Sequence, residues 1–121
     1  MFKILQIDDL ESMHFLMKAA FAERSEIRLL WADNGLEGIR LATEEKPNLI
    51  LLDVNMPAMG GQEVLVRLKA ESRTADIPVV VVSGTAEQDV IDAMLADGAL
   101  CHLPKPFTPK ALYALVESFQ G

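Results

Sequence analysis

The stretch Asn48-Leu-Ile-Leu-Leu-Asp53-Val-Asn-Met-Pro57 is an apolar run that carries one carboxylate, that of Asp53, and then breaks. A run of aliphatic residues without polar alternation is typical of a strand buried on both faces inside a parallel sheet. Pro57 and the Gly60-Gly61 pair follow closely, so the chain is expected to leave the sheet through a loop before the next helix. The pattern therefore predicts a central strand that presents Asp53 at its carboxyl end.

The size and composition of the chain fit one domain. Domains typically hold about 100 to 150 residues, so the 121 residues predict a single domain over 1–121. Half of the residues are hydrophobic and 24% are charged, which is typical of a globular protein with a sizeable core. The formal net charge is −7 and the basic residues are scattered, which argues against nucleic-acid binding.

The sequence contains no pattern that indicates a membrane protein or an exported one. The longest apolar stretches, near residues 49–52 and 79–82, are far too short to cross a bilayer. Met1 leads straight into Phe2-Lys3-Ile4-Leu5, without a basic leader and a signal-peptide core. Cys101 is the only cysteine, which excludes a disulfide within the chain. A cytoplasmic location is the natural expectation for such a protein.

Strand and helix patterns alternate along the chain. Strands are predicted at 4–7, 27–31, around Asp53, 77–82 and 99–103, and helices at about 12–21, 34–46, 61–71, 85–98 and 109–119. Predicted helix caps are Ser12, Asn34, a Thr85-Ala-Glu-Gln88 capping box and Thr108 before Pro109, with Gly98 closing the fourth helix. Such alternation predicts a parallel sheet covered by helices on both faces.

Polar residues at the predicted strand ends fall on one edge of this sheet. They are Asp8 and Asp9 after the first strand, Asp53 after the third, Ser83 after the fourth and Lys105 after the fifth. Ligands of open parallel sheets bind beyond this edge. Crowded carboxylates raise one another's pKa unless a cation neutralises them, and oxygen ligands favour Mg²⁺ over Zn²⁺. A carboxylate there can also act as a nucleophile toward a phosphoryl group.

These residues, taken together and in order, resemble the receiver domains of two-component response regulators, including the single-domain chemotaxis type. The elements that carry the resemblance are Asp8-Asp9, Asp53 with Met56-Pro57 and Gly61, Ser83-Gly84, and Lys105-Pro106-Phe107. The resemblance covers essentially the whole chain. It implies a flavodoxin-like (βα)5 fold, with a five-stranded parallel sheet in the order 2-1-3-4-5 and five helices on its two faces.

The resemblance also implies a role for each site residue. Asp53 would be the phosphoacceptor, Ser83 would bind a phosphoryl oxygen, Lys105 would pair with Asp53 or its phosphate, and Mg²⁺ would be placed by Asp8, Asp9, Asp53 and the backbone carbonyl of Asn55. A cis Lys105–Pro106 bond is expected as well. His102 stands where receivers often carry Tyr or Phe as a rotameric switch, so a switch role and a plain packing role both stay open.

The function that the resemblance implies is a phosphorylation-controlled signalling switch. A sensor histidine kinase or a phosphotransfer protein would donate the phosphoryl group, and the face of helix 4, strand 5 and helix 5 would then control an effector protein or a fused output domain. The domain would promote its own phosphotransfer and dephosphorylation without being a conventional enzyme. No contact with nucleic acid or with a membrane is expected.

Two alternatives use the same architecture. A small Mg²⁺-dependent phosphatase of the haloacid-dehalogenase type needs a second Asp two residues after its nucleophile, where this chain has Asn55. A flavin or nucleotide module is possible because fold alone does not fix function. That module lacks support from a Gly-rich loop after the first strand, where Asp8 and Asp9 stand instead. His14 is predicted to lie on the surface, and Trp31 to be a packing residue and not a ligand-stacking one.

Overall fold

The structure is a computed structural model that describes residues 1–84 and 88–120. Within these ranges five strands alternate with five helices. The elements are β1 (Phe2–Ile7), α1 (Glu11–Ala20), β2 (Ile27–Ala32), α2 (Gly35–Glu45), β3 (Leu49–Asp53), α3 (Gly61–Ala70), β4 (Val79–Ser83), α4 (Gln88–Ala96), β5 (Cys101–Pro104) and α5 (Pro109–Gln120). Each predicted strand and helix is present, with its ends moved by a few residues.

The strands form one parallel sheet in the order β2-β1-β3-β4-β5. This order confirms the predicted flavodoxin-like fold. The chain builds outward from β1 to β2, then crosses to the other side of β1 and continues through β3, β4 and β5. The strand order therefore switches between β1 and β3, which is where such sheets form a crevice beyond the carboxyl ends of their strands.

The sheet separates two apolar cores, and β3 contributes to both. Ile50 and Leu52 pack with residues of α2, α3 and α4, whereas Leu49 and Leu51 pack with residues of α1 and α5. Side chains alternate between the faces of a strand, so a strand covered on both sides has to be apolar throughout. This requirement explains the uninterrupted run before Asp53.

Two of the predicted helix caps are confirmed. Oδ1 of Asn34 accepts a hydrogen bond from the Glu37 N–H at 2.9 Å, and Oγ1 of Thr108 accepts one from the Ala111 N–H at 3.1 Å. Gly98 follows α4 with a φ of 118°, a backbone conformation that favours glycine at helix ends. The predicted capping box at Thr85–Gln88 falls largely on residues 85–87, outside the described residues.

The start of α1 differs from the prediction. The helix begins at Glu11, so Ser12 lies in its first turn and is not the cap. Oδ1 of Asp8 instead accepts the Leu10 N–H at 2.9 Å and turns the chain into the helix. Only part of the apolar surface of α1 is buried, because Met17 faces the core whereas Leu16 is 62% exposed.

The fourth and fifth strands begin later than predicted. A turn holds residues 74–77, where the Ile77 N–H donates to the Thr74 carbonyl, and β4 starts after it. The Ala99 N–H donates to the Met94 carbonyl at 3.0 Å and so completes the end of α4 before β5 begins. Across the parts of the chain that the structure describes, no helix has the length and apolar character that spanning a membrane requires.

Candidate functional site

The predicted acidic residues meet at the switch point of the sheet. Asp8 and Asp9 follow β1, and Asp53 ends the neighbouring strand β3. One carboxylate oxygen from each residue lies within 4.8 Å of the other two. This arrangement is compatible with a bound metal ion, because an oxygen-only cluster of three acids is suited to a hard divalent cation.

Asp53 is buried at the end of β3, with only 5% of its surface exposed. Burial raises the pKa of its carboxyl, and the negative charges of Asp8 and Asp9 raise it further, whereas Lys105 lowers it. The net direction is upward. The site therefore disfavours ionisation of the Asp53 carboxyl unless more positive charge is added.

Lys105 brings the fifth strand into the site. Its Nζ lies 3.1 Å from Oδ2 of Asp8 and 3.3 Å from Oδ1 of Asp53. The ammonium is mostly buried, and the following bond to Pro106 is cis, as expected. One cation thus bridges two of the three acids.

Ser83 and Asn55 lie on the other side of Asp53 from β1, one at the end of β4 and the other in the loop after β3. Ser83 is buried at the end of β4, and its carbonyl oxygen accepts the Lys105 N–H at 3.0 Å. Asn55 is exposed, two residues beyond Asp53 in the loop before α3. All the strand-end residues predicted for the site are therefore located on this edge of the sheet.

His102 is half-buried on β5. Its Nε2 lies 3.3 Å from the Ser83 carbonyl oxygen, so the ring N–H donates to the end of β4. This contact ties His102 to the backbone of a predicted phosphoryl-binding residue. The sequence left its role open between switch and packing.

Gly61 fixes the position of β3 against α3. A Cβ at this residue would lie 2.2 Å from the Asp53 carbonyl oxygen and 2.9 Å from Cα of Val54. Only a residue without a side chain allows the helix to start so close to the strand. The glycine therefore sets where the Asp53 backbone lies.

Sequence reasoning missed a group of side chains beneath Asp8. The sequence predicts His14 on the surface, whereas in the structure it is half-buried and its ring stacks on Trp31 with centroids 4.3 Å apart and planes 8° apart. Nδ1–H of His14 donates to Oε1 of Gln6 at 3.1 Å, and the Trp31 indole N–H donates to the Asp8 carbonyl at 2.8 Å. The one available signal is Gln6, the single polar residue within the predicted strand 4–7.

Comparison with known proteins gives a consistent result. The family model described as the response regulator receiver domain matches residues 4–117. Sporulation initiation phosphotransferase F of Bacillus subtilis is 35% identical over 105 residues, which cover 87% of this chain and 82% of that protein. Protein PilH of Pseudomonas aeruginosa is 30% identical over 119 residues, which cover 98% of this chain and 97% of that protein.

The fold has a close match among solved structures. The chemotaxis protein CheY4 of Vibrio cholerae superposes with a TM-score of 0.88 at 25% identity, with 98% of each chain covered. The family model spans nearly the whole chain, and the relatives are similar over most of their own length. The chain therefore belongs to the response regulator receiver domain family, whose members are phosphorylation-dependent switches of two-component signalling.

Proposed function

We propose that the chain acts as a single receiver domain over residues 1–121 that accepts a phosphoryl group on Asp53. The observation that carries this assignment is the convergence of Asp8, Asp9 and Lys105 on one buried carboxylate at the switch point of the sheet. A nucleophile is expected to be central in such a cluster, and Asp53 is the acid at the end of the central strand.

The residues around Asp53 fit a site for Mg²⁺. Asp8, Asp9 and Asp53, with the backbone carbonyl of Asn55, would hold the ion, which prefers oxygen ligands and retains several waters. When bound, Mg²⁺ supplies positive charge that offsets the acids and the transferring phosphoryl group. The raised pKa of Asp53 supports this assignment, because the cluster disfavours ionisation of Asp53 without added positive charge.

The proposed reaction is an in-line phosphoryl transfer. A carboxylate oxygen of Asp53 forms a bond to phosphorus while the bond from phosphorus to the donor's imidazole nitrogen breaks, and the product is an acyl phosphate. The released imidazole takes up a proton from solvent. Lys105 and the hydroxyl of Ser83 would hold oxygens of the phosphoryl group as charge spreads over them.

Phosphorylation would change the face formed by α4, β5 and α5. The phosphate adds about −1.5 to −2 charges at Asp53, and we expect Ser83 to move toward it. His102 bonds to the carbonyl of that serine and lies on β5. The imidazole would therefore change its position when Ser83 moves, which is the switch role proposed for it.

Receiver domains work with histidine kinases or phosphotransfer proteins and with effectors. For this chain, the proposed donor is a phosphohistidine of a sensor kinase or of a phosphotransfer protein. The proposed target is an effector protein or an output domain fused to the receiver. Both contacts are protein contacts, and neither nucleic acid nor membrane is proposed to bind these residues.

The test is phosphorylation by acetyl phosphate, followed by intact-protein mass spectrometry with and without Mg²⁺. The wild type is expected to gain one phosphoryl group only when Mg²⁺ is present, and Asp53→Asn is expected to gain none. Lys110→Met, which changes an exposed lysine on α5, serves as the control and should label normally. Persistent labelling of Asp53→Asn would overturn the assignment. Steady turnover of an external phosphomonoester would instead favour a phosphatase.

A further inference from the structure

Trp31 contacts the backbone of the acidic site. Its indole Nε1–H donates to the carbonyl oxygen of Asp8 at 2.8 Å. That carbonyl belongs to the peptide group that joins Asp8 to Asp9. Because a peptide group is planar, one hydrogen bond to it constrains the backbone of both acids.

The end of β2 explains why this carbonyl is bonded by a side chain. β2 ends at Ala32, whose carbonyl accepts the Asp8 N–H at 3.0 Å. The chain then turns toward Asn34, the cap of α2. Asp8 is only 2% exposed, and a buried carbonyl requires a donor. Ile7 and Ala32 are the last paired residues of β1 and β2. The carbonyl of Asp8 lies just beyond them, and the Trp31 indole N–H is its donor.

Trp31 is itself held in place by its neighbours. The His14 ring stacks on the indole with planes 8° apart, and Nδ1–H of His14 bonds to the buried amide oxygen of Gln6. Nε2 of Gln6 has no hydrogen-bond partner within residues 1–84 and 88–120. A buried amide that is only partly bonded costs stability. Packing alone would favour an apolar residue at this buried position, so the presence of Gln6 is not explained by packing.

Asp8 is thus fixed on three sides. Its N–H bonds to Ala32, its carbonyl oxygen bonds to Trp31, and Oδ1 of its side chain accepts the Leu10 N–H. The remaining oxygen, Oδ2, faces Lys105 at 3.1 Å. Loss of the indole bond would free the Asp8–Asp9 peptide plane, and the directions of the two carboxylates depend on that plane.

We propose that Trp31 is a positioning residue of the acidic site. Through the Asp8–Asp9 peptide it orients both carboxylates toward the bound Mg²⁺. This inference rests on the proposed metal role of Asp8 and Asp9. Partners of metal ligands typically change metal affinity by about 10- to 100-fold when they are removed. Because the Trp31 N–H orients two ligands, we expect its removal to weaken Mg²⁺ binding by a factor in this range.

The first test measures Mg²⁺ binding by isothermal titration calorimetry to the wild type and to Trp31→Phe. The variant keeps an aromatic ring but loses the N–H, so its Kd is expected to rise by about tenfold or more. Phosphorylation by acetyl phosphate should need correspondingly more Mg²⁺ and recover near the wild-type rate at saturating Mg²⁺. Leu29→Ala on the same strand is the control for lost packing, and its Kd should stay within about twofold of the wild type.

A second variant removes the donor without changing the shape of the side chain. In it, β-(3-benzothienyl)alanine replaces Trp31, so that sulfur stands in place of the indole N–H. The same rise in Kd is expected, and a Kd within about twofold of the wild type would overturn the inference.

A spectroscopic measurement on the wild type does not depend on any variant. Trp31 is the only tryptophan, so a ¹⁵N-labelled protein gives one indole N–H signal. That signal is expected to exchange slowly with solvent and to shift when Mg²⁺ is added. A rapidly exchanging signal that Mg²⁺ leaves unchanged would contradict the proposal. If the wild type itself fails to bind Mg²⁺, the proposed function fails as well. If the wild type binds Mg²⁺ and the benzothienyl variant binds it with a similar Kd, only the positioning role is overturned.

Discussion

Nζ of Lys105 lies 3.1 Å from Oδ2 of Asp8, in an ion pair between residues 97 positions apart in the chain. The same ammonium reaches Asp53 at 3.3 Å. In this arrangement Lys105 supplies the positive charge of the acidic site. A divalent cation that binds Asp8 and Asp53 therefore competes with the lysine for the same carboxylates.

This competition predicts that Lys105→Met binds Mg²⁺ more tightly than the wild type. Two unit charges about 4 Å apart interact by about 4 kcal/mol at an effective dielectric constant near 20. Loss of part of the repulsion between the Lys105 ammonium and Mg²⁺ is expected to lower the Kd for Mg²⁺ roughly tenfold, which corresponds to about 1.4 kcal/mol of binding free energy. Phosphorylation by acetyl phosphate should nevertheless be slower, since a group that holds the phosphoryl oxygens is lost. Calorimetry that finds equal or weaker Mg²⁺ binding would contradict the competition.

The raised pKa of Asp53 predicts that Asp53→Asn is more stable than the wild type at pH 7.5 in EDTA. Burial and neighbouring acids disfavour the charged carboxylate in the folded state. The cost is full above the folded pKa and disappears as the pH falls through that pKa toward the unfolded value of 3.8. Urea unfolding of both proteins at neutral and acidic pH measures the difference, which should shrink at low pH.

Added Mg²⁺ should reduce the difference in unfolding free energy between Asp53→Asn and the wild type at neutral pH. At free Mg²⁺ about tenfold above Kd, the wild type gains roughly 1.4 kcal/mol of unfolding free energy by binding. Asp53→Asn has lost a charged ligand and should gain less. A variant that is less stable than the wild type in EDTA at pH 7.5 would show that the Asp53 charge does not destabilise the fold.

The contact between Gly61 and Asp53 predicts that Gly61→Ala damages both stability and phosphorylation. The new Cβ would lie 2.2 Å from a backbone oxygen, and either α3 or the end of β3 has to move. We expect a loss of about 3 kcal/mol, at the upper end for overpacking, and slower labelling by acetyl phosphate.

Gly38→Ala is the matched comparison for that substitution. Its Cβ would meet side-chain atoms of Ile7, with Cδ1 at 2.6 Å and Cγ1 at 2.9 Å, instead of backbone atoms, and the end of a side chain can shift more easily than backbone. Alanine also favours the interior of α2 by about 1 kcal/mol over glycine. The loss in unfolding free energy should therefore be clearly smaller than for Gly61→Ala. Equal losses would mean that contact with the Asp53 backbone is not the reason for the glycine.

Ala58 in the loop after β3 has a φ of 65°, a left-handed conformation that is strained for alanine. Ala58→Gly should relieve this strain and raise the unfolding free energy by about 0.5–1 kcal/mol, after allowing for the greater freedom of glycine in the unfolded chain. Ala114→Gly, at an exposed position in α5, should instead lower it by about 1 kcal/mol. Chemical denaturation of the two variants should give opposite signs.

The residues of the acidic site could be predicted because each ends a strand whose apolar pattern is plain in the sequence. Parallel strands bring their carboxyl ends to one edge, so the sequence alone predicts that Asp8, Asp53 and Lys105 lie close together. The contacts of Trp31 and His14 could not be predicted in this way. They depend on how α1 lies across the sheet, and periodicity does not specify that placement.

The start of α1 shows the same limit on a smaller scale. Ser12 is a good capping residue by type, but the Asp8 side chain turns the chain earlier and places Ser12 inside the helix. Asp8 can act as a metal ligand or as a turn-forming residue, and the neighbouring sequence does not show which role its side chain takes. In the structure one oxygen of Asp8 serves the turn and the other faces Lys105.

Pro104 affects how the sheet meets other molecules. The Lys105 N–H points to Ser83 on β4, and successive N–H groups along a strand point in opposite directions. Position 104 therefore faces the open side of β5, where proline offers no N–H. A strand from a second molecule cannot form a complete ladder there. This edge is thereby protected against aggregation by strand addition, and contacts on this side of the domain are left to side chains and helices.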